Sequence, residues 1–384
     1  MNLTSKNISK AASVFMMVCL FIFSNAHIAK AQEPVSNVHI GFCYPLSTNG
    51  SRAGEYTNNA SFHVLAGLSK EEKAFSYAGI SNVVRDKVSG FQFAGISNHV
   101  KNEVEGFQFA GIFNRAGNAM KGFQYAGIYN DVDTIDGFQF AGLLNRSATV
   151  KGFQFAGLSN IVRNDIDGFQ FAGFSNIDGG NFKGFQFAGF VNKVRDVDGF
   201  QFAGFVNVAK KVRGLQFAGF INIADSSDHS LALVNIIKNG EKSIGVTIDE
   251  TQTTVLSFRS GGRVLYGIIG VGGNWKTSTS YMALEGGFGA HLPLSNSFRI
   301  NAELTSLYLE DWKKGFYYKN TFRVLPSIRL TPRIELFGGP SLNFSSTDTD
   351  DGKKLIENDF WNDYSGDDKR QLFIGYTAGL QIGF

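Results

Sequence analysis

From Val88 onward, apolar and polar residues alternate in short runs that break and start again. Each unit reads Gly-Phe-Gln-Phe-Ala-Gly, then an apolar residue, a variable residue and Asn. A polar stretch follows. One apolar residue stands two places before each opening Gly: Val88, Val104, Met120, Ile135, Val150, Ile166, Phe182, Val197 and Val212. The opening glycines are Gly90, Gly106, Gly122, Gly137, Gly152, Gly168, Gly184, Gly199 and Gly214, spaced 15 or 16 residues apart. A worn copy precedes them at Ala74–Gly79. Fixed-period self-similarity of this kind marks a solenoid or another repeat array. Two Gly per unit, with Phe, Val, Ile and Asn, oppose helix. The pattern predicts one or two short strands per unit, stacked as coils of a β-solenoid about 4.8 Å apart. Nine coils would make a rod of roughly 40–45 Å.

Two columns then define the stacking unit. One is aromatic: Phe91, Phe107, Phe123, Phe138, Phe153, Phe169, Phe185 and Phe200. The other is Asn98, Asn114, Asn130, Asn145, Asn160, Asn176, Asn192 and Asn207. Stacked Asn side chains are expected to hydrogen-bond along the rod. In a plain strand, Phe91 and Phe93 share one face, while Gln92 and Ala94 share the other. A bend at Ala94-Gly95 would turn Phe91, Phe93 and Ile96 inward. That is the expected arrangement, because large apolar side chains are usually buried. Without the bend, a Phe ladder lies exposed and forms a binding surface. An antiparallel meander with one hairpin per repeat is the rival array.

The repeat stops near Asn235, and longer alternating strands begin. They are expected at 244–250, 253–259, 263–273, 279–292, 297–310, 316–330, 333–344 and 371–384. Leu372, Ile374, Tyr376, Ala378, Leu380, Ile382 and Phe384 form one apolar face. Several runs reach the 9–11 residues that a transmembrane strand needs. Tight turns at 260–262 and 330–333 alternate with longer polar links such as 274–278 and 345–370. A soluble β-sandwich or lipocalin-like barrel shares the alternation.

The ends and the composition narrow the picture. Lys6 and Lys10, the apolar run 11–24 and Ala29-Lys30-Ala31 give the three parts of a secretory signal peptide. Its removal takes Lys6, Lys10 and Lys30 from a net charge of +3, leaving 0. A neutral chain with no basic block offers no footprint for nucleic acid. Cys19 would leave with the signal, so Cys43 has no disulfide partner. The 38 Phe and 45 Gly suit strands and turns. The expected division is a signal segment (1–31), a lead-in (32–59), a repeat solenoid (60–240) and a C-terminal barrel (241–384), an all-β chain.

Chemistry is sparse. His39, His63, His99, His229 and His291 stand far from one another and from Cys at metal-ligand spacing. No Gly-x-Ser-x-Gly elbow or phosphate loop is present. Asp348-Thr349-Asp350-Asp351-Gly352 imitates part of a calcium loop, but its spacing is wrong for an EF-hand. No cofactor or metal is expected. Trp275, Trp312 and Trp361 stand near loops, where barrel aromatics mark a membrane interface.

The repeated motifs from Gly90–Asn98 through Gly214–Asn222 resemble a bacterial surface-repeat family first labelled in spirochaete genomes. That resemblance implies placement in the envelope or at the cell surface, and no catalytic residue. The final strand, with Tyr376, Leu380, Ile382 and the terminal Phe384, resembles the assembly signal of small outer-membrane β-barrels. It implies outer-membrane lipid and the barrel-assembly machinery as partners. Eight strands would put both barrel ends, and the solenoid, in the periplasm. Were the weak strand 244–250 not to cross, seven would leave the solenoid outside. The expected function is non-enzymatic: structural or adhesive display on a barrel anchor. Variable positions Ser97, Phe113, Tyr129, Leu144 and Ser159 would meet a protein or glycan. The alternatives are a pore or transport protein, a periplasmic scaffold, and a lipid-modifying barrel enzyme centred on His291.

Overall fold

The computed structural model describes residues 34–277, 280–312 and 315–384. The expected signal segment lies outside them. Two all-β parts follow one another: a β-solenoid of about 12 turns and a closed eight-stranded antiparallel barrel.

In the solenoid, like residues pair with like. Gly90, Phe91, Gln92, Phe93 and Ala94 lie opposite Gly106, Phe107, Gln108, Phe109 and Ala110, in parallel register. The same register recurs coil after coil. This parallel pairing replaces the rival meander. Among the described solenoid strands, the antiparallel pairing is the short return of Leu46–Ser47 against Gly41–Cys43. Stacking also begins before the repeated wording does. Val35–Cys43 runs parallel to Thr57–Ser69, so the lead-in supplies the first coil.

The phenylalanines face outward, which corrects the expected inward bend. Plain alternation carries through each first strand. Val88, Gln92 and Ala94 are buried, whereas Phe91 is 47 % exposed. Phe107, Phe138, Phe153, Phe169 and Phe200 are likewise exposed. The physical reason is pairing. At these positions the interior is lined by Ala, Gln and Asn, and in-register amides satisfy one another there. Apolar packing comes from the column before each Gly and from a second column two places after Asn, including Val84, Val100, Val132 and Val162.

The opening glycines are required where they stand. Gly152 has φ +123°, and a Cβ there would lie 2.1 Å from the Gly137 carbonyl oxygen. Both the left-handed backbone and the close coil approach exclude a side chain.

The barrel strands are β1 (Lys242–Asp249), β2 (Thr253–Gly261), β3 (Leu265–Asn274), β4 (Tyr281–Pro293), β5 (Phe298–Glu310), β6 (Tyr317–Arg329), β7 (Ile334–Thr347) and β8 (Asp368–Gly383). β1 pairs with both β2 and β8, so the weak strand completes the barrel and the seven-strand count falls away. Both barrel ends and the links 262–264, 294–297 and 330–333 share one end, here the short-turn end. The links 250–252, 275–280, 311–316 and 348–367 share the other. In the longest link, the acidic stretch forms the helix Asp350–Lys354, with Thr349 capping it by accepting from the Gly352 amide. Strand Trp361–Ser365 then folds back on β8.

The solenoid ends on the barrel's flank. The Asn235 amide N–H donates to Ser260 Oγ at 2.9 Å, and its side chain donates to the Ser260 carbonyl at 2.9 Å. Gly267 lets the last coil approach, since a Cβ there would lie 1.8 Å from the Ala232 carbonyl oxygen.

Candidate functional site

Two amide ladders run through the solenoid interior. Asn98 Nδ2 donates to Asn114 Oδ1 at 2.9 Å, and the relay continues through Asn130, Asn145, Asn160, Asn176, Asn192 and Asn207 to Asn222 and Asn235. Each ladder Asn up to Asn207 also donates to a carbonyl of the next coil, as Asn98 does to Phe109 at 2.7 Å. The sequence reading missed the second ladder. Gln108 Nε2 donates to Gln92 Oε1 at 2.8 Å, and the series runs on to Gln216. Its donors point toward the N-terminal coils, opposite to the Asn ladder. The signal was there: a Gln between two Phe in every unit, on the face opposite the rings. Each buried amide would cost about 1–3 kcal/mol if left unpaired, so the ladders hold coil register firmly.

Asp178 interrupts the apolar column that otherwise holds Val162 and Val194. It accepts from Gln170 at 3.1 Å and from Gln186 at 2.5 Å. Burial pushes its carboxyl up to about 8, against those two amide bonds, which pull it down. A second buried acid, Glu72, accepts from Asn58 at 3.0 Å and from Ser61 at 2.7 Å. Burial raises it to about 7.

Outside, the rings stack. Phe91 and Phe107 lie 4.9 Å apart between centroids, and Phe153 and Phe169 lie 4.7 Å apart. The second Phe column stacks likewise, as in Phe187 on Phe202 at 4.8 Å. The turn column joins them, with Phe190 on Phe205 at 4.8 Å. The variable positions are less available than expected. Ser97 and Ser159 are buried, and Ser159 bonds Ser175 at 2.9 Å. Phe113 and Tyr129 are half-buried and stack at 5.5 Å. Leu144 is also half-buried.

Beside the rings runs a column of alternating charge: Glu105, Lys121, Asp136, Lys151, Asp167, Lys183, Asp198 and Arg213. Each lies in register with the opposite sign on its neighbours. Parallel in-register stacking brings identical positions together, so a uniform sign would repel.

The barrel wall is apolar outside, and the lumen carries tiers of buried charge. In its middle, Glu303 accepts from Arg259 at 2.9 Å, Arg323 at 2.7 Å and Tyr266 at 2.8 Å. Arg323 also meets Glu285 at 3.0 Å. Toward the short-turn end, Arg299 bridges Glu335 at 2.7 Å and Glu241 at 2.6 Å. Toward the other end, Lys319 meets Asp249 at 2.6 Å and Glu250 at 3.0 Å. These tiers, with an apolar cluster of Val255, Leu307, Leu309, Tyr317 and Phe373 under Leu355 and Ile356 at the long-link end, fill the lumen. A cavity of about 480 Å³ remains at the short-turn mouth, lined in part by Arg299, Arg329 and Arg333. His291 sits deep beside it, its Nδ1 2.7 Å from Asn301 Oδ1 and its ring on Tyr266 at 4.2 Å. Its hydrogen bond goes to an amide, not to a serine hydroxyl.

The outer wall carries Ile244, Val246, Leu256, Leu304, Phe322, Leu336, Leu342 and Ile374, all exposed. Tyr376, Leu380, Ile382 and Phe384 also face outward on or beside β8. Trp275, Trp312 and Trp361 are exposed at the long-link end. Among the described residues, no cluster of three His, Cys, Asp or Glu could hold a metal ion. Among the same residues, no helix is long and apolar enough to cross a membrane, which says nothing of a barrel. Comparison with protein-family models, curated proteins and solved structures finds no match.

Proposed function

We propose that this chain is a non-enzymatic envelope scaffold, in which an outer-membrane barrel holds a rigid β-solenoid on the periplasmic side. One observation carries the reading. The barrel is inside-out for a water-soluble protein, with ion pairs buried in its lumen and aliphatic and aromatic side chains on its wall. Outer-membrane barrels have that distribution, with short periplasmic turns and longer external loops. The solenoid leaves from the short-turn end, so this orientation puts it in the periplasm. Surface display of the rod, the first expectation from the sequence, depended on an odd number of crossings. A pore is disfavoured because salt-bridged side chains fill the eight-stranded interior.

Protease accessibility on intact cells tests the reading. A cleavable epitope goes into the turn Asp178-Gly179-Gly180-Asn181, directly after Gly180, which spares the buried Asp178. The expected result is protection until the outer membrane is opened. Cleavage from outside would overturn the orientation, and recovery of the whole chain in the soluble periplasmic fraction would overturn the barrel anchor.

A further inference from the structure

The aromatic face of the solenoid is large, continuous and uncharged. Three outward columns make it, each spanning ten coils: Phe75 to Leu215, Tyr77 to Phe217 and Ile80 to Phe220. Every position in them is Phe, Tyr, Ile or Leu. Nine coil steps of about 4.8 Å make the strip roughly 43 Å long. Side chains at its centre stay well exposed despite the stacking, with Phe155 and Leu158 each at 49 %. Soluble monomers rarely leave so long an apolar strip facing water.

The strip runs straight into the barrel wall. The Phe217 ring packs 6.4 Å from that of Phe288 on β4. Phe288 points outward, because its neighbour Gly289 pairs with Tyr266, which faces the lumen. Across the strands, Phe288 continues an outward row through Leu304, Phe322, Leu342 and Ile374. Phe288 is also five residues inside the short-turn end of β4 at Pro293. That is roughly 16 Å along the strand at about 3.3 Å per residue. The last coil therefore meets the wall within its apolar band, not below it.

We infer that the phenylalanine face docks on the membrane itself, with its rings among the acyl chains of the leaflet that surrounds the short-turn end. The solenoid then lies along the bilayer as a monotopic rod, its alternating charges at the headgroup level. This inference rests on the barrel spanning the membrane, as proposed above. Continuity with the wall favours lipid over a second copy of the chain. A partner docked face to face on the whole strip would meet the bilayer where Phe217 and Phe288 touch.

Brominated acyl chains, which quench tryptophan only at contact, provide the test. Trp275, Trp312 and Trp361 are replaced by Phe in the full chain, and single tryptophans are introduced as Phe155→Trp, Leu158→Trp, Leu304→Trp and Lys193→Trp. The chain is folded into phosphatidylcholine vesicles with and without bromine on the acyl chains. Expected is loss of more than half the emission for Phe155→Trp, Leu158→Trp and the wall control Leu304→Trp, with Lys193→Trp on the opposite strand unchanged. Quenching of Leu304→Trp alone would overturn the docked face and leave the barrel standing. Quenching of none would overturn both. If the face tryptophans were shielded only at high protein concentration and untouched by bromine, the occupant would be a second copy and the inference would fail. Two face positions, one on the strand and one on the turn, guard against a local folding defect.

Discussion

Asn235, the last rung of the asparagine ladder, donates its side-chain amide both to the Ala232 carbonyl and to the Ser260 carbonyl on β2, each at 2.9 Å. The ladder that holds coil to coil therefore also fastens the solenoid to the barrel. Asn235→Ala would strip the acceptor from Asn222 and the donor from Ser260. Loss of about 1–3 kcal/mol at the junction is expected. Limited proteolysis checks it: cutting near Lys238 and Lys242 should accelerate while cutting elsewhere in the rod does not.

The buried carboxyl of Asp178 gives the rod a pH dependence of definite sign. Its folded value, near 8, lies above the ordinary value near 4. Its contribution to stability is therefore complete below about pH 4 and is lost as pH rises to about 8, by at most about 1.4 kcal/mol per unit. Glu72, raised to about 7, adds a slope of the same sign. Asp178→Asn keeps an acceptor for one glutamine and removes the charge. The melting temperature of the variant should fall less between pH 5 and 8 than that of the parent. An unchanged slope would place the titration elsewhere.

Charge alternation beside the aromatic face sets a third expectation. Lys151 lies between Asp136 and Asp167 in register. Lys151→Glu would line up three acids on adjacent strands and destabilise the stack by about 1 kcal/mol or less. Chemical denaturation at low and high salt checks this. The defect should shrink as salt screens it, whereas Lys151→Gln should show little salt response.

Glu303 neutralises two arginines inside the barrel, Arg259 and Arg323. Removing one partner of a buried charge cluster costs about 3–5 kcal/mol, because the remaining charges stay buried without compensation. Glu303→Gln should therefore lower the melting temperature of the barrel sharply, as followed by circular dichroism. A fourfold change to apolar residues at 259, 285, 303 and 323, which removes the whole charge cluster, should be milder than Glu303→Gln alone.

The stacking unit, its period and the two-part division were legible in the residues alone, because in-register parallel stacking converts each repeated letter into a column. The barrel was legible only as an expectation, since a soluble sandwich shares the same alternation and the crossing of 244–250 stayed open. The sequence held the glutamine ladder and the charge column in plain view as well. Which column lies inside was settled by packing between coils. Gln92 and Phe91 alternate equally well in either sense, and single-residue burial tendencies favour the phenylalanine. The outcome depends on neighbours a coil away: a buried amide is satisfied only when another stands 15 or 16 residues on. Tertiary structure likewise decided that Lys242–Asp249 closes the barrel, because a short strand's crossing rests on partners at both edges. It also brought Phe217 to Phe288, 71 residues apart in sequence, because only a packed junction could bring the two apolar surfaces together.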